Sequence, residues 1–309
     1  DRHAWDALVA DSDFYDCHGW LAALEYALGP VELLILHGPA GLLGGCALWN
    51  GERAPGLFCL PDYFADVPGP WERKFLWIGA RRSTHNEIPC TLGHGRDRAL
   101  RGLLDAAKQL AVRRDLAGVV IPYMPLEKAS ELASFREDAR VILHSAEASL
   151  AVPPHGLMEA MQAASKHDRW RTRRELAAFA EHGDRVEWRA LDDEIERVAA
   201  DLIAQNRARH GSMQGVAWMR HLLDGQRRSG VRESAAVAVA RRDRRIVALT
   251  VFYRLGRTLH TRYFGSDYAV DDGDFRYFVL SYYAPLDYAA MHGICLLYTS
   301  PSPRDRQKS

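Results

Sequence analysis

Residues 233–294 read ESAAVAVARRDRRIVALTVFYRLGRTLHTRYFGSDYAVDDGDFRYFVLSYYAPLDYAAMHGI, and this stretch decides the fold. Runs of small, β-branched and aromatic residues predict three consecutive antiparallel strands. The three runs are residues 235–240, 246–253 and 258–265. The first turn is charged and centred on Asp243, as expected for a solvated hairpin tip.

A long helix is predicted to follow, from about residue 274 to residue 292. Its apolar residues recur at spacings of three and four, which places one apolar face against the sheet. Pro285 lies in the interior of this helix, where it removes the hydrogen bond to the Ser281 carbonyl and should produce a kink.

Three hairpin strands followed by a helix form the core of the GNAT acyltransferase fold. The sequence YFG-x-D at residues 263–267, followed by a Tyr-rich helix with APLDYAA-x-HG at 284–293, resembles the GNAT-like domain of the FemAB-related acetyltransferases. FYDCHGWLAALE at residues 14–25 is similar to the short opening helix of those proteins. The resemblance implies an α+β fold of two tandem GNAT-like domains, with mixed, mostly antiparallel sheets flanked by helices.

The chain divides into two domains and a tail. Pro153-Pro154 marks a junction between an N-terminal domain, 1–152, and a C-terminal acetyltransferase domain, 153–294. Residues 295–309, CLLYTSPSPRDRQKS, show neither helical nor strand periodicity and resemble the translation of a sequencing adapter. We therefore expect a non-native tail that truncates the second domain of a metagenomic fragment; a natural disordered basic tail is the alternative.

Composition narrows the classes of partner. The tail holds three basic residues and one acidic residue, so the rest of the chain has 37 of the 40 basic and 39 of the 40 acidic side chains. The net charge of that part is therefore slightly negative and does not favour nucleic acid or an anionic membrane as a partner. No apolar run is long enough to span a bilayer. The four cysteines before the tail form no CxxC pair, so we expect reduced thiols in a cytoplasmic protein.

The resemblance implies acetyl-CoA or another acyl-CoA as co-substrate, and no metal. In GNAT domains the pyrophosphate lies on backbone amides at the start of the helix that follows the splayed strands. Here the corresponding loop, GSDYAVDDGD at 265–274, lacks the usual glycine-containing motif and carries Asp271, Asp272 and Asp274. These acids either cap the helix or repel a pyrophosphate, so the loop argues against standard CoA binding.

A basic run, KHDRWRTRR at 166–174, is the strongest charge feature. Lys166, Arg169 and Arg173 share one helix face, and Arg174 follows directly. The run is either a phosphate-binding surface, for CoA, a tRNA acceptor stem or a nucleotide-linked substrate, or a solvated face paired with its own acids.

Several further residues are candidates for the site. His210, Tyr263 and Asp267 are candidate catalytic groups, because acyl transfer to an amine needs a proton acceptor and a donor to the developing oxyanion. The candidate substrate-binding residues beyond the basic run are His85, Asn86, Gly265 and Tyr282. Helix capping explains His210 equally well, and core packing explains Tyr263. His85 and Asn86 have no evident structural role in the sequence.

The sequence therefore predicts an N-acyltransferase that moves an acyl group, with acetyl favoured, from acyl-CoA to an amine. The acceptor would belong to a small metabolite, an amino acid or a cell-wall precursor. One alternative is a Fem-type enzyme that uses aminoacyl-tRNA as donor. Another is a catalytically degenerate GNAT pair that acts as a binding protein.

Overall fold

The computed structural model describes residues 2–10, 13–39, 41–50, 60–143, 148–270 and 273–299. The chain divides into two compact units, Asp1–Ser145 and Ala146–Ser309, which we call the N-terminal and C-terminal units. Over the described residues, no helix combines the length and the apolar character needed to cross a bilayer.

In the N-terminal unit, helices surround a four-stranded sheet of order β1-β2-β3-β4. The elements are α1 (Arg2–Val9), α2 (His18–Leu28), β1 (Glu32–Gly38), β2 (Gly41–Asn50), α3 (Leu60–Tyr63), β3 (Leu76–Ile78), α4 (Arg96–Arg113), β4 (Val119–Val120) and α5 (Leu126–Ser134). Only the β3–β4 pair, among the described strands of this unit, is parallel. The apolar face of α4 carries Leu100, Leu103 and Ala107, which are buried in the core of this sheet.

The C-terminal unit has a larger sheet of order β5-β10-β9-β8-β7-β6. Its elements are β5 (Ala148–Ala151), α6 (Gly156–Ala163), α7 (Lys166–Glu181), β6 (Arg185–Arg189), α8 (Asp193–Arg209), α9 (Val216–Ser229), β7 (Ala235–Arg242), β8 (Arg245–Leu255), β9 (Thr258–Ser266), α10 (Arg276–Phe278), α11 (Ala284–Met291) and β10 (Leu296–Thr299). The described strands pair antiparallel, except for the parallel pair β9–β10. Strand β5 pairs within this sheet, so the residues just before Pro153 belong to the same compact unit as the rest of the sheet.

The three-strand meander β7–β8–β9 is confirmed, with each strand slightly longer than predicted. Asp243 and Arg244 both have positive φ, 47° and 68°, and form the two-residue connection between β7 and β8. Such connections match the twist of the flanking strands, which explains why the chain reverses at Asp243.

The helix after β9 is not regular. Residues Val279–Tyr283 are π-helical and lie between α10 and α11, and Pro285 is within the first two residues of α11. Because Pro285 has no N–H for the Ser281 carbonyl, the wider π turn accommodates the interruption that the sequence predicts.

The expectation of no regular structure in residues 295–309 is wrong for Leu296–Thr299, which form β10. This strand pairs with β5 on one side and β9 on the other, and Leu297 is buried in the core. Residues 300–309 lie outside the described part of the chain.

Candidate active site

Strand β9 has one edge that is only partly covered. Its parallel pairing with β10 runs from Thr258 to His260, and in the described chain no strand pairs with that outer edge further along. A bulge lies at the same point, because Tyr263 pairs with Val251 and Thr261 with Phe252, which leaves Arg262 as the extra residue. The last β9–β10 pair joins His260 to Tyr298, and the described part of β10 ends at Thr299, so this pairing ends just before the bulge.

The backbone groups on that outer edge follow from the pairing. The Asp267 amide donates to the Val247 carbonyl of β8 at 2.8 Å. Since alternate residues present their backbone groups to alternate edges, those of Phe264 and Ser266 point away from β8, toward the uncovered edge. An extended ligand with amide groups can pair there as an additional strand.

Tyr263 and Gly265 lie on the face of β9 that packs against α8. Tyr263 is 5% exposed, and its hydroxyl has no hydrogen-bond partner. A Cβ on Gly265 would lie 2.6 Å from the Ile203 nitrogen of α8, so the glycine permits close helix–strand packing. The buried phenol hydroxyl is a polar group that a substrate can satisfy, because a buried group without a partner is costly.

Asp267 is held by the protein itself. One carboxylate oxygen accepts a hydrogen bond from the Ala269 amide at 3.0 Å, and the other accepts one from Arg245. The side chain is 6% exposed. Asp267 thus fixes the turn after β9, and its charge is paired.

Asp274, one of the three loop acids, belongs to a buried ion-pair network. Arg242 donates to both Asp184 oxygens, at 2.8 and 2.6 Å, and to Asp274 at 2.6 Å. Arg276 also donates to Asp274, from its guanidinium at 2.7 Å and from its amide at 3.0 Å. Burial raises the pKa of Asp274, but the hydrogen bonds that it accepts, first of all from Arg276, outweigh burial and hold that pKa below its usual range.

This network corrects the charge argument from the sequence. In Asp267 and Asp274 the loop carries acids whose charges are matched by Arg245, Arg242 and Arg276. A paired carboxylate repels a phosphate far less than a free one, so the objection to a CoA pyrophosphate does not hold for Asp274. Asp271 and Asp272 lie outside the described residues.

The end of α8 reaches the same loop. His210 follows the last residue of α8, is exposed, and donates its amide to the helix carbonyls. The Tyr268 hydroxyl donates to Asn206 at 2.6 Å, and the Arg209 guanidinium lies 4.3 Å from the Tyr268 ring centre. A helix-capping position explains His210, while Arg209 offers a cation beside the loop that follows β9.

On the opposite face of β9, α10 and the π-helical segment supply tyrosine side chains. Tyr277 packs edge-on against Phe264 at 4.8 Å, and its hydroxyl lies 3.3 Å from that of Tyr282. Tyr283 donates to the buried carboxylate of Glu175, on α7, at 2.5 Å. Phe264, Tyr277 and Tyr282 therefore form one group beside the β9 edge.

The basic run occupies α7, and its residues do not share one role. Arg169 is half-buried and donates to the Ala164 carbonyl at 2.6 Å, where it caps the end of α6. Lys166, Arg173 and Arg174 are exposed. Trp170 is 57% exposed on the same helix, with the Arg174 guanidinium 5.6 Å from its ring centre. The exposed part of the run is thus a basic surface with an aromatic side chain at its centre.

His85 and Asn86 lie in the N-terminal unit, and both are buried. Asn86 donates from its side chain to the Ile78 carbonyl at 2.8 Å, which fixes the loop to the end of β3. His85 lies 3.3 Å from Glu87, which also pairs with Lys128 of α5. Both residues therefore have structural contacts that the sequence does not indicate, and their role in substrate binding stays a prediction.

A pair of buried carboxyl groups, Asp13 and Asp16, lies near this loop, and no pattern in the sequence indicates it. Asp16 is 0% exposed, and neither of its carboxylate oxygens has a donor in hydrogen-bond geometry. Burial raises the pKa of Asp16 well above its usual range, the charges of Asp13 and Glu87 raise it further, and His85 lowers it. No group of three or more His, Cys, Asp or Glu side chains in the described ranges is arranged to hold a metal ion.

Comparison with solved structures gives the fold a known relative. The chain is similar to FemX, with a TM-score of 0.64 at 13% identity over 98% of this chain and 88% of FemX. It is also similar to a tandem GNAT protein from the clavulanic acid biosynthesis pathway, with a TM-score of 0.51 at 13% identity over 98% of this chain and 86% of that one. The fold is the tandem GNAT fold.

A third structure with this tandem GNAT fold is the C-terminal domain of a proposed lysylphosphatidylglycerol synthetase from Agrobacterium fabrum. Its TM-score is 0.54 at 12% identity, over 99% of this chain and 80% of that one. Neither a protein-family model nor a curated protein sequence matches the chain. At such identities the likeness establishes the tandem GNAT fold, while the chemistry has to be argued from the residues.

Proposed function

We propose that the protein is an N-acyltransferase that uses acyl-CoA, with acetyl-CoA as the simplest donor, and that it acts in the cytoplasm. The acceptor would be an amine of a small metabolite, an amino acid or a cell-wall precursor. The single observation that carries the proposal is the outer edge of β9 beyond His260, which lies next to a bulge and past the last β9 residue that pairs with β10 in the described chain.

The chemistry of the donor matches this edge. The pantetheine arm of CoA is an extended chain with two amides, which can hydrogen-bond to the outward backbone groups of Phe264 and Ser266. The phosphates would then lie at the loop after Ser266, near Arg209, where Asp274 is neutralised by its arginine partners. Guanidinium groups are well suited to phosphate oxygens.

Acyl transfer to an amine needs positioning, a proton acceptor and a donor for the leaving thiolate. The buried Tyr263 hydroxyl, without a protein partner, is suited to donate to the thiolate or to the developing oxyanion. Asp267 is less suited to a direct role, because Arg245 and the Ala269 amide already occupy it.

Equilibrium dialysis with isotopically labelled acetyl-CoA, a longer acyl-CoA and CoA tests the proposal. We expect saturable binding of all three by the full-length protein, followed by release of CoA thiol when a mixture of primary amines is added. Failure of all three ligands to bind would refute the acyl-CoA proposal. Binding without any turnover would instead favour a catalytically degenerate binding protein.

A second candidate function is aminoacyl transfer from a charged tRNA, and the exposed surface of α7 favours it. Trp170 lies among Lys166, Arg173 and Arg174, and an exposed aromatic ring flanked by cations suits the stacking of an unpaired base beside its phosphate. In this function the acceptor end of the tRNA would bind along α7.

The salt dependence of tRNA binding distinguishes this candidate. Neutralising Lys166 and Arg173 together should lower the slope of log affinity against log salt by about 0.7–0.9 for each phosphate that the protein no longer neutralises. Arg171 is a matched control, because Asp168 already accepts from it at 2.6 Å and its removal should leave the slope nearly unchanged. Absent or salt-independent tRNA binding would count against aminoacyl transfer.

A further inference from the structure

A cluster of buried polar side chains lies on the face of the sheet that packs against α8 and α9. Its members are Gln226, Tyr253, His260 and Tyr263, and of these only the Tyr263 hydroxyl takes part in the reaction proposed above. His260 on β9 is 3% exposed and pairs directly with Tyr253 on β8. The Tyr253 hydroxyl donates to the Gln226 side-chain carbonyl of α9, which places this cross-strand pair on the helix side. Because the bulge at Arg262 adds one residue, His260 and Tyr263 face the same side although they are three residues apart.

Two polar atoms in this group have no protein partner. They are the Tyr263 hydroxyl and the Gln226 side-chain nitrogen, in residues that are 5% and 0% exposed. The surrounding side chains include fully buried apolar residues such as Val251 and Leu223. Since an unpaired buried donor destabilises a protein, either a water molecule or a polar ligand that reaches this depth would satisfy these two atoms.

The length of the donor places its reactive end here. Between thiol and phosphate, the pantetheine arm has about as many chain bonds as four residues of extended peptide, or about 14 Å. The distance along β9 from Ser266 back to Arg262, the bulge residue, is about 13 Å, at roughly 3.3 Å per residue. A CoA with its phosphates at the loop after Ser266 therefore brings its thioester to the bulge, next to His260.

We propose that His260 is a catalytic residue that accepts the proton of the attacking amine. The amine nitrogen forms a bond to the acyl carbon as the imidazole of His260 takes one N–H proton, and the carbon–sulfur bond then breaks. The thiolate takes its proton from the Tyr263 hydroxyl, which recovers a proton from the imidazolium. The amine thus becomes an amide, the thioester becomes a thiol, and both side chains regain their starting state.

The position of His260 distinguishes it from His210, the proton acceptor expected from the sequence. His210 is exposed at the end of α8, whereas His260 is the last β9 residue that pairs with β10, and its ring stacks on Tyr298 at 5.1 Å. A base that is shielded from water and close to the thioester is the better acceptor, since it must lie within hydrogen-bond reach of the amine. This inference rests on the proposed acyl-CoA chemistry.

The test separates donor binding from proton transfer. With acetyl-CoA as donor and a mixture of primary amines as acceptors, His260→Gln should lower the rate of thiol release by about 10²–10⁴-fold and leave acetyl-CoA binding unchanged. It should also remove the fall of kcat toward acidic pH, and His155→Gln, an exposed control, should change neither rate nor pH profile. Tyr263→Phe removes only the hydroxyl and keeps the aromatic ring in the core. It should lower the rate of thiol release as well.

A measurement on the unaltered protein complements the variants. The imidazole carbon–proton NMR signal of His260 should shift when acetyl-CoA binds. If acetyl-CoA binds and that signal does not move, or if His260→Gln keeps full activity while His210→Gln loses it, the assignment of His260 is wrong. If acetyl-CoA does not bind at all, the acyl-CoA proposal fails first and the role of His260 fails with it.

Discussion

Asp16 of the N-terminal unit is predicted to weaken the fold at neutral pH. Its carboxyl group is buried beside Asp13, Glu87 and His85, and the nearby Glu87 amide, which lowers its pKa, does not offset that burial. Burial, and then the charges of Asp13 and Glu87, raise its pKa well above the usual range. The folded protein therefore binds this proton more tightly than the unfolded chain does.

The direction of the pH dependence follows from that shift. A carboxyl group with a raised pKa in the folded state contributes its full stability below its unfolded pKa, near about 3.9 for aspartate. That contribution is lost as the pH rises through the folded-state pKa. Glu87 acts in the opposite direction: burial raises its pKa, but His85 and Lys128 outweigh burial and lower it, so its contribution is lost as the pH falls.

The substitution Asp16→Asn isolates the effect, because asparagine keeps nearly the same volume without the charge. A buried polar group without a partner costs about 1–3 kcal/mol, and more when it is charged. We expect the variant to raise the free energy of unfolding by about 1–3 kcal/mol near pH 8. We expect almost no difference near pH 4, where Asp16 is protonated in the folded protein.

Urea unfolding of both proteins at a series of pH values, followed by circular dichroism, measures this difference. Asp66→Asn is the matched control, because Asp66 is exposed in the same unit and its substitution should have little effect at any pH. A destabilised Asp16→Asn protein near pH 8, or a difference that is equal at the two pH values, would refute the reasoning.

Two further substitutions test the packing and charges around β9. Gly265→Ala should destabilise the C-terminal unit by about 1–3 kcal/mol in thermal unfolding, because the new Cβ would lie 2.6 Å from the α8 backbone. Gly102→Ala, where nothing lies within 4 Å, should instead be neutral or slightly stabilising, and equal effects at the two glycines would contradict the packing argument. Arg242→Met should cost about 3–5 kcal/mol in urea unfolding, since it leaves Asp184 and Asp274 buried without their shared cation. Arg241→Met, which breaks the half-exposed pair with Glu187 and an exposed hydrogen bond to the Arg244 carbonyl, should cost less than about 1 kcal/mol, and a similar loss of stability in both variants would show that the buried network matters little.

The strands and the fold could be predicted because their information is local. The alternation of residues 235–265 and the charged turn at Asp243 specify three hairpin strands without reference to the rest of the chain. The interruption at Pro285 was also local, although the sequence predicted a kink and the structure has a π turn. Strand β10 was missed because four residues at the margin of an irregular segment carry too little periodicity to identify.

The candidate site was harder to predict because its partners are distant in sequence. Asp274 looked like one of three acids that cap a helix, yet Arg242 and Asp184 approach it from 32 and 90 residues away. The same holds for Asn86, whose partner is the carbonyl that ends β3. His260 was missed in the sequence because it stands inside a strand, and only the register with Tyr253 and the end of the β10 pairing give it a place in the site.

Hydrogen exchange at the outer edge of β9 tests the placement of the donor most directly. The amides of Phe264 and Ser266 point away from β8, whereas that of Asp267 already donates to Val247. We predict that saturating acetyl-CoA slows exchange at Phe264 and Ser266 and leaves Asp267 nearly unchanged. Binding of acetyl-CoA with no added protection at Phe264 and Ser266 would show that the donor lies elsewhere and would contradict the assignment of this edge as the donor site.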